Sequence, residues 1–374
     1  MKIIDITLDR LRLPLNPPFA AAWDPVPRRH FDATIVRVHT DEGIVGVGSG
    51  DTMAGFEDYK PLFVGTDPLD IVGQVRAIET ANFHGARYWP LEAAFWDIIG
   101  KVAGLPVATL FGKAHNRIRA YASTGELRTP EERVESALAM RDRGFRAIKI
   151  RIDRARIGEG VATVRAVREE LGEEFDIMVD LNQSWRMAGD VQPATDLAAT
   201  RGLVRKLAEL GVFWVEEPLP YADVAGFRQL RTDNPGLRIA GGEMQPSPQE
   251  LLGYFDHDAL DVYQMDVVLA IGMHRARTFA ELAQLKHRQF TPHSWTNGIG
   301  VLANLHVAAG VGAGPYFEFP YDPPGWTPER RDFMLAEPVM IDAEGYLSVP
   351  GAPGLGIELN ENVVEDTRIA KAAP

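Results

Sequence analysis

AIKIR at residues 147–151 and IMVDLN at residues 177–182 are the first two of seven short apolar runs between Phe145 and Glu318. Each run ends in, or next to, a charged or polar residue, and the runs recur about every 28 residues. The other five are WVEEP at 214–218, IAGGE at 239–243, VYQMD at 262–266, FTPH at 290–293 and YFE at 316–318. One strand, one loop and one helix fill such a period, so the pattern predicts an α/β barrel with parallel strands.

The segments on either side of these runs predict a second domain. Residues 1 to about 60 alternate in the manner of strands, with DEG at 41–43 as a hairpin turn. We expect loops at 16–23 and 48–56, and a helix from Leu91 that is broken by GLP at 104–106. We therefore predict three segments, namely an N-terminal α+β domain over 1–116, a barrel over 117–334, and a tail over 335–374 that returns to the first domain as strand, turn and strand.

Composition excludes several classes of partner and chemistry. The 374 residues include no cysteine, which removes disulfides, thiolate metal sites and a cysteine nucleophile. The formal net charge of −13 argues against nucleic acid and against an acidic membrane surface. Residues 289–317 carry no Asp, Glu, Lys or Arg, but their prolines and glycines argue against a membrane span. We expect a cytoplasmic protein that acts on a small molecule.

Three carboxylates end successive strands, at Asp180, Glu216 and Glu243. Carboxylates brought together at one mouth would repel each other unless a cation lay between them, and oxygen ligands favour Mg²⁺. The alternative is that each is a helix cap or an exposed loop acid. Their occurrence at three consecutive strand ends favours the shared cation site over this alternative. Asn182 lies two residues after Asp180 and therefore faces the same side, where it is a candidate ligand-binding residue.

Other strand ends supply groups that could bind and deprotonate a carboxylate substrate. Lys149 and Arg151 lie two apart on one strand and can meet a carboxylate oxygen. Asp266 and His293 end adjacent strands, and an Asp bound to one ring nitrogen raises the basicity of the other, so His293 is a candidate general base. Glu318, on the last strand, is a candidate acceptor of a hydrogen bond from the substrate or its enolate.

With these motifs in place, the chain resembles the enolase superfamily, in its mandelate racemase subgroup, over nearly all of its length. LEAAFWD at 91–97 with the GLP that follows is similar to the helix of that family's capping domain. The Asp-x-Asn, Glu-Glu-Pro and Gly-Glu strand ends match its three metal ligands, and Asp266 with His293 matches its His–Asp dyad. The resemblance implies a modified TIM barrel of (β/α)7β type, capped by an α+β domain built from both termini. It also implies Mg²⁺, an enediolate formed by removal of the proton next to a carboxylate, and a homo-oligomer.

The residue at position 151 differs from the pattern of many family members, and this difference limits the reactions that the site could catalyse. Many members have Lys-x-Lys on the second barrel strand, with the second Lys as a base, whereas this chain has Arg151 there. A guanidinium stays protonated and is a poor base. We therefore expect a one-base reaction, the dehydration of an acid sugar (aldonate or aldarate) to a 2-keto-3-deoxy acid. The alternatives are a racemase or epimerase of a hydroxy or amino acid, and a non-catalytic protein that binds acid sugars.

Loops of the capping domain set specificity in this family. The candidate substrate-binding residues on these loops are Trp23, Arg28, Arg29, Met53 and Phe56. If either arginine reaches the pocket, a diacid becomes a plausible substrate; the alternative is that both face water. Tyr321 and Trp326, just after the last strand, are further candidates for the pocket wall.

Overall fold

The computed structural model describes residues 1–185, 192–312 and 314–369. Its N-terminal part is an α+β domain in which a three-stranded antiparallel sheet, in the order β1-β2-β3, packs on helices. The elements are β1 (Ile3–Phe19), β2 (Arg28–Thr40), β3 (Val45–Ser49), α1 (Phe56–Tyr59), α2 (Ile71–His84), α3 (Trp89–Ala103) and α4 (Val107–Leu110). Apolar residues that alternate on β2, such as Val36 and Val38, pack against Leu91 and Phe95 of α3.

The central part is the expected (β/α)7β barrel, in which eight strands alternate with seven helices within the described ranges. The strands are β4 (Arg117–Ser123), β5 (Ala147–Arg151), β6 (Asp176–Asp180), β7 (Trp214–Glu216), β8 (Arg238–Gly241), β9 (Val262–Tyr263), β10 (Gln289–Phe290) and β11 (Phe317–Pro320). The helices are α5 (Pro130–Asp142), α6 (Ile157–Leu171), α7 (Leu197–Glu209), α8 (Val224–Asp233), α9 (Pro248–Asp256), α10 (Gly272–Leu285) and α11 (Gly298–Val311). The predicted fold class is therefore confirmed.

The strands pair in parallel in chain order, and the last pairs with the first. Each of β4 to β9 is hydrogen-bonded to the next strand, and β11 returns to pair with β4. At the carboxyl ends of the strands, Ser294 follows β10 and donates from its backbone N to Glu318 of β11 over 2.6 Å. This contact brings β10 and β11 together at the mouth of the barrel.

Strand alternation places a polar layer above an apolar layer inside the barrel. Tyr121, Ala147, Met178, Trp214, Val262 and Tyr316 form a buried cluster that includes inward-facing residues of several strands. Because side chains two positions apart face the same way, the next inward residues include Lys149, Asp180, Glu216 and Glu318. Gly242 breaks this alternation with a φ of 93°, a value that favours glycine, and the following Glu243 enters the polar layer.

The tail corrects one part of the prediction. A short helix, α12 (Pro328–Arg331), precedes the tail, and the tail itself contains β12 (Tyr346–Ser348) and α13 (Glu361–Thr367). Residues 339–341 do not form a strand, and β12 pairs antiparallel with barrel strand β4, not with the N-terminal domain. Other parts of the tail do return to that domain, since Leu335 packs in one apolar cluster with Ile35 and Ile369 donates to the carbonyl of Arg10 over 2.7 Å.

The predicted loop at 16–23 is also partly wrong. Strand β1 runs to Phe19 because its end still pairs with β2, where Phe19 lies opposite Arg28. The loop itself is shorter, and Ala22 donates from its backbone N to the carbonyl of Gly125 over 2.8 Å. In the part of the chain that the structure describes, no helix combines the length and the apolar character that crossing a membrane requires.

Candidate active site

The carboxylates of Asp180, Glu216 and Glu243 meet at the mouth of the barrel. One oxygen from each lies within 4.8 Å of the others, and all three side chains are buried. Trp185 donates from Nε1 to Glu243 over 2.8 Å, and Trp214 donates from Nε1 to Glu216 over 3.2 Å. Indole donors therefore hold two of the three carboxylates in place.

The charge balance of this cluster fits a divalent cation. Five buried carboxylates face two permanently charged cations, Lys149 and Arg151; the carboxylates are those of Asp180, Glu216, Glu243, Asp266 and Glu318. Burial, opposed by Lys149 but reinforced by the neighbouring acids, raises the pKa of Glu216 to about 8. A cation among the three oxygens would relieve this excess of negative charge, and an all-oxygen donor set suits a hard ion.

Lys149 lies beneath the cluster and does not line the cavity described below. Its Nζ is 2.8 Å from Glu216, 2.7 Å from Glu318 and 3.6 Å from Asp180. Burial disfavours the ammonium, but these three acids outweigh it and raise the pKa of Lys149. Lys149 is therefore a fixed cation that holds acids of three strands together.

Arg151 is hydrogen-bonded to Asp180, one of the three clustered carboxylates, and to residues beside it. Its Nη1 donates to Asp180 over 2.5 Å and to Asn182 over 2.7 Å, and its Nε donates to the carbonyl of Thr124 over 2.9 Å. The guanidinium carbon also lies 4.2 Å from the ring centroid of Trp23, a distance that allows a cation–π interaction. Asn182 in turn donates from Nδ2 to Asp180 over 3.1 Å.

His293 and Asp266 form the pair that their strand-end positions predict. Nδ1 of His293 lies 3.0 Å from Oδ2 of Asp266, and its Nε2 lies 3.7 Å from Glu243. The other oxygen of Asp266 accepts from the backbone N of Val268 and of Leu269. Burial disfavours the imidazolium, but Glu243, Glu318 and Asp266 outweigh it and raise the pKa of His293 to about 9.

Both carboxylate oxygens of Glu318 accept hydrogen bonds from other protein groups. Oε1 accepts from Lys149 and, over 2.8 Å, from Ser123 Oγ, while Oε2 accepts from the backbone N of Ser294. Burial favours the neutral acid, but Lys149 and His293 outweigh it and lower the pKa of Glu318 to about 2. In this structure Glu318 holds Lys149 and does not line the cavity, which differs from the expected contact with substrate.

A cavity of about 260 Å³ opens above these groups. Its polar lining comes from strand ends and one capping-domain residue, namely Arg28, Arg151, Asn182, Glu243 and His293. Its apolar lining consists of Trp23, Phe31, Trp185, Met244, Leu269, Trp295 and Trp326. The chain has seven tryptophans, and four of them line this one cavity.

The capping-domain candidates divide into two groups. Trp23 and Arg28 line the cavity, and Arg28 forms an ion pair with Asp24. Arg29 is exposed and does not line it. The prediction that Met53 and Phe56 bind substrate is wrong. Both side chains are buried in the apolar core of the capping domain and do not line the cavity.

Of the two candidates after the last strand, one lines the cavity and the other does not. Trp326 lines the cavity. Tyr321 does not, and its ring packs 5.5 Å from that of Phe145 on the outer side of the barrel.

Sequence reasoning missed several residues of the cavity wall. Trp185 and Trp295 each lie three residues or fewer from a predicted site residue, Asn182 or His293, and that proximity was the available signal. Met244 directly follows Glu243 in the same way. Phe31, two residues after Arg29, and Leu269, three residues after Asp266, offered the same signal.

Comparison with known proteins agrees with this geometry. Residues 132–363 match the family model described as "Enolase C-terminal domain-like", and residues 3–112 match the "Mandelate racemase / muconate lactonizing enzyme, N-terminal domain". D-galactarolactone cycloisomerase of Agrobacterium fabrum is 28% identical, over 99% of each chain. Arabinonate dehydratase of Saccharolobus solfataricus is 29% identical, over 78% of this chain and 73% of that protein.

A solved structure shows the same likeness over the whole chain. A member of the enolase superfamily from Polaromonas sp. JS666 has a TM-score of 0.85 and 29% identity, over 100% of this chain and 99% of the other. Relatives also include proteins named as racemases and epimerases, so the family contains several reactions. The chain belongs to the enolase superfamily, in its mandelate racemase subgroup.

Proposed function

We propose that the protein is a Mg²⁺-dependent dehydratase of an acid sugar, an aldonate or aldarate. The observation that carries the proposal is that one cavity is lined by a single candidate base, His293, by the ligand Glu243 and by the non-basic Arg151. Relatives named as dehydratases of arabinonate, of L-talarate and galactarate, and of D-xylonate support this choice.

Asp180, Glu216 and Glu243 would hold the ion. When bound, a divalent cation supplies positive charge that stabilises the anion formed next to the substrate carboxylate. Arg151 lines the cavity beside them and can donate to a carboxylate oxygen from Asn182's side of the site. Lys149 keeps two of the ligands, Asp180 and Glu216, near the centre of the mouth.

The chemistry of His293 accounts for both proton transfers. A cation held by Glu243 would offset the charge that contributes most to raising the pKa of His293 and would favour its neutral form. Neutral His293 then removes the proton on the carbon next to the carboxylate, and Asp266 stabilises the imidazolium that forms. The imidazolium then gives its proton to the leaving β-hydroxyl, and the bond from that oxygen to carbon breaks to release water. The enol that remains takes a proton at carbon, loses the proton of its hydroxyl, and becomes the 2-keto-3-deoxy acid. One base is sufficient for this sequence.

The proposal is tested by incubating acid sugars in D₂O with Mg²⁺ and following them by mass spectrometry and proton NMR. The expected result is loss of water and a keto acid. Deuterium uptake at the α-carbon with all hydroxyls retained would replace the dehydratase with a racemase or epimerase. Binding without either change would favour a non-catalytic binding protein.

A second candidate is a cycloisomerase, in which the leaving oxygen belongs to a ring and no water is lost. The full-length match to D-galactarolactone cycloisomerase favours it. The same D₂O experiment separates the two, because a cycloisomerase product has the mass of its substrate apart from deuterium.

We also propose a homo-oligomer in the cytoplasm, by analogy with the family. Light scattering after size-exclusion chromatography tests the assembly, and the mass of a single chain would contradict it.

A further inference from the structure

The backbone holds the three clustered carboxylates to different degrees. Asp180 is the last residue of β6 and Glu216 is the last residue of β7, and the two lie opposite each other in the paired strands. Glu243 lies two residues after the end of β8, in a turn that follows Gly242. Strand pairing therefore fixes two of these acids but does not extend to the third.

The side chains show the same difference. Asp180 and Glu216 each form an ion pair with a buried arginine or lysine. Glu243 has no such partner among the described residues, and its carboxylate accepts one hydrogen bond there, from Nε1 of Trp185 over 2.8 Å. Nε2 of His293 lies 3.7 Å from Oε2 of Glu243, which is beyond hydrogen-bond distance. Within the described ranges, Trp185 is therefore the hydrogen-bond donor that orients this carboxylate.

The loop after β7 connects Trp185 with the turn of Glu243. The backbone N of Tyr221, on this loop, donates to the carbonyl of Ser184 over 3.2 Å, and Ser184 precedes Trp185. The hydroxyl of Tyr221 accepts from the backbone N of Met244, which follows Glu243, over 3.1 Å. The neighbours of the donor and of the acceptor are thus held by one residue, so the indole is presented to the carboxylate by an anchored chain.

We infer that Trp185 is a positioning residue of the cation site, whose indole N–H presets the orientation of Glu243 and so raises the affinity for a divalent cation. A carboxylate that can rotate freely must lose that freedom when an ion binds, and a preset orientation removes most of this cost. The inference rests on the proposed function in one respect, the role of Glu243 as a ligand. It does not depend on which reaction follows.

The test removes the N–H and keeps an aromatic ring in the cavity wall. Trp185→Phe does this, and titration calorimetry with MgCl₂ alone, on protein stripped with EDTA, measures the Kd of Mg²⁺. We expect the Kd to rise about tenfold, as is usual when a donor to a metal ligand is lost. Thermal unfolding in EDTA shows whether the variant keeps its fold.

Trp96→Phe is the matched control. Nε1 of Trp96 also donates to a buried carboxylate, that of Glu92 over 3.0 Å, but both residues lie on α3 of the capping domain. The control therefore loses the same kind of hydrogen bond away from the cation site. It should leave the Kd of Mg²⁺ unchanged, even if it lowers the melting temperature.

NMR of the indole N–H groups gives a second readout that a purely structural role would not produce. Protein labelled with ¹⁵N at the indole nitrogens should show seven signals, one for each tryptophan. The signal missing from Trp185→Phe identifies Trp185. Because an ion on Glu243 withdraws charge from the acceptor, this signal should shift as Mg²⁺ is added, with the Kd found by calorimetry, whereas the signal of Trp96 should stay in place.

The outcomes separate this inference from the proposed function. A Kd for folded Trp185→Phe within about twofold of the unmodified protein overturns the inference alone. An equal rise in Trp96→Phe, or a Trp185 signal that ignores saturating Mg²⁺, overturns it as well. No Mg²⁺ binding by the unmodified protein removes both the inference and the Mg²⁺ dependence. The expected loss of affinity, in a protein that dehydrates no acid sugar, leaves the inference standing and removes the dehydratase.

Discussion

Nδ1 of His293 lies 3.0 Å from Oδ2 of Asp266, while Oδ1 of the same carboxylate is held by Asn304 at 3.3 Å and by two backbone amides. Asp266 therefore cannot rotate without losing several bonds. Because it is fixed, it fixes the ring of His293 and leaves Nε2 as the nitrogen available to substrate. The site thus contains one oriented base.

Replacing that base should abolish turnover while the fold survives. His293→Asn should lower the rate of α-proton exchange and of dehydration by roughly 10²–10⁴-fold, because the other polar groups that line the cavity among the described residues are the proposed ligand Glu243, the amide of Asn182 and two guanidiniums. The measurement is exchange in D₂O by NMR, with circular dichroism as the check on folding. His257→Asn is the control, since His257 is exposed at the C-terminal end of α9 and does not line the cavity. Retained exchange in His293→Asn would assign the base elsewhere.

Loss of a carboxylate should remove the response to Mg²⁺. In the unmodified protein, Mg²⁺ at about 100 times its Kd should stabilise the fold by about 2.7 kcal/mol. Glu243→Gln should lose most of this gain in thermal melts, without being destabilised in EDTA, because one of five buried negative charges is gone. Glu250→Gln, an exposed change on the neighbouring helix, is the control. An undiminished Mg²⁺ shift in Glu243→Gln would exclude it as a ligand.

The guanidinium of Arg151 should not be replaceable by an ammonium. It contacts Asp180, Asn182, the carbonyl of Thr124 and the ring of Trp23, and a lysine can reproduce only part of this set. We expect Arg151→Lys to lower kcat/KM for dehydration by about 10–100-fold.

The control for this change is Arg156→Lys, whose side chain is 52% exposed. Exchange of the α-proton from the opposite stereoisomer, which the unmodified protein should not show, would indicate that the new lysine had become a second base. Unchanged kcat/KM would mean that only the positive charge of Arg151 is needed.

Glu92 should make stability depend on pH. It lies on α3 and accepts from the backbone N of His274 at the start of α10 and from Trp96 Nε1, while its Oε2 has no hydrogen-bond partner among the described residues. Burial, partly offset by these bonds, raises the pKa of Glu92 to about 7. The folded state therefore keeps a proton that the unfolded chain loses near pH 4.5.

This contribution to stability is fully present below about pH 4.5 and is lost as the pH rises through 7. Relative to Glu92→Gln, which cannot ionise, the unmodified protein should lose up to about 3 kcal/mol of unfolding free energy between pH 5 and pH 8. Urea unfolding at several pH values measures the difference. Glu135→Gln, an exposed change, should run parallel to the unmodified protein. A constant difference between Glu92→Gln and the unmodified protein would mean that Glu92 stays ionised.

The sequence was sufficient for those parts of the site that strand geometry determines. Asp180, Glu216 and His293 follow apolar runs of parallel strands, and such strands bring their carboxyl ends to one mouth whatever the loops do. Asp266 could be paired with His293 for the same reason, because their strands are neighbours.

The cover of the site was harder to predict, because loops take their positions from whatever they pack on. Met53 and Phe56 were expected at the pocket but fill the capping-domain core beside Tyr88 and Phe95. Trp295 was not selected, although its position two residues after His293 brings it to the cavity. Nothing in local periodicity separates an aromatic side chain that fills a core from one that covers a site.

The pairing of β4 with late parts of the chain has a consequence for biosynthesis. One edge of β4 is covered by β5 and, nearer its start, by β12, while the other edge is covered by β11, which leaves the ribosome about 200 residues later. During that interval the nascent chain carries an unpaired strand edge, which can pair with a strand of another chain and so promote aggregation. Slow codons over residues 124–320 would lengthen this interval, and they should lower the yield of folded product.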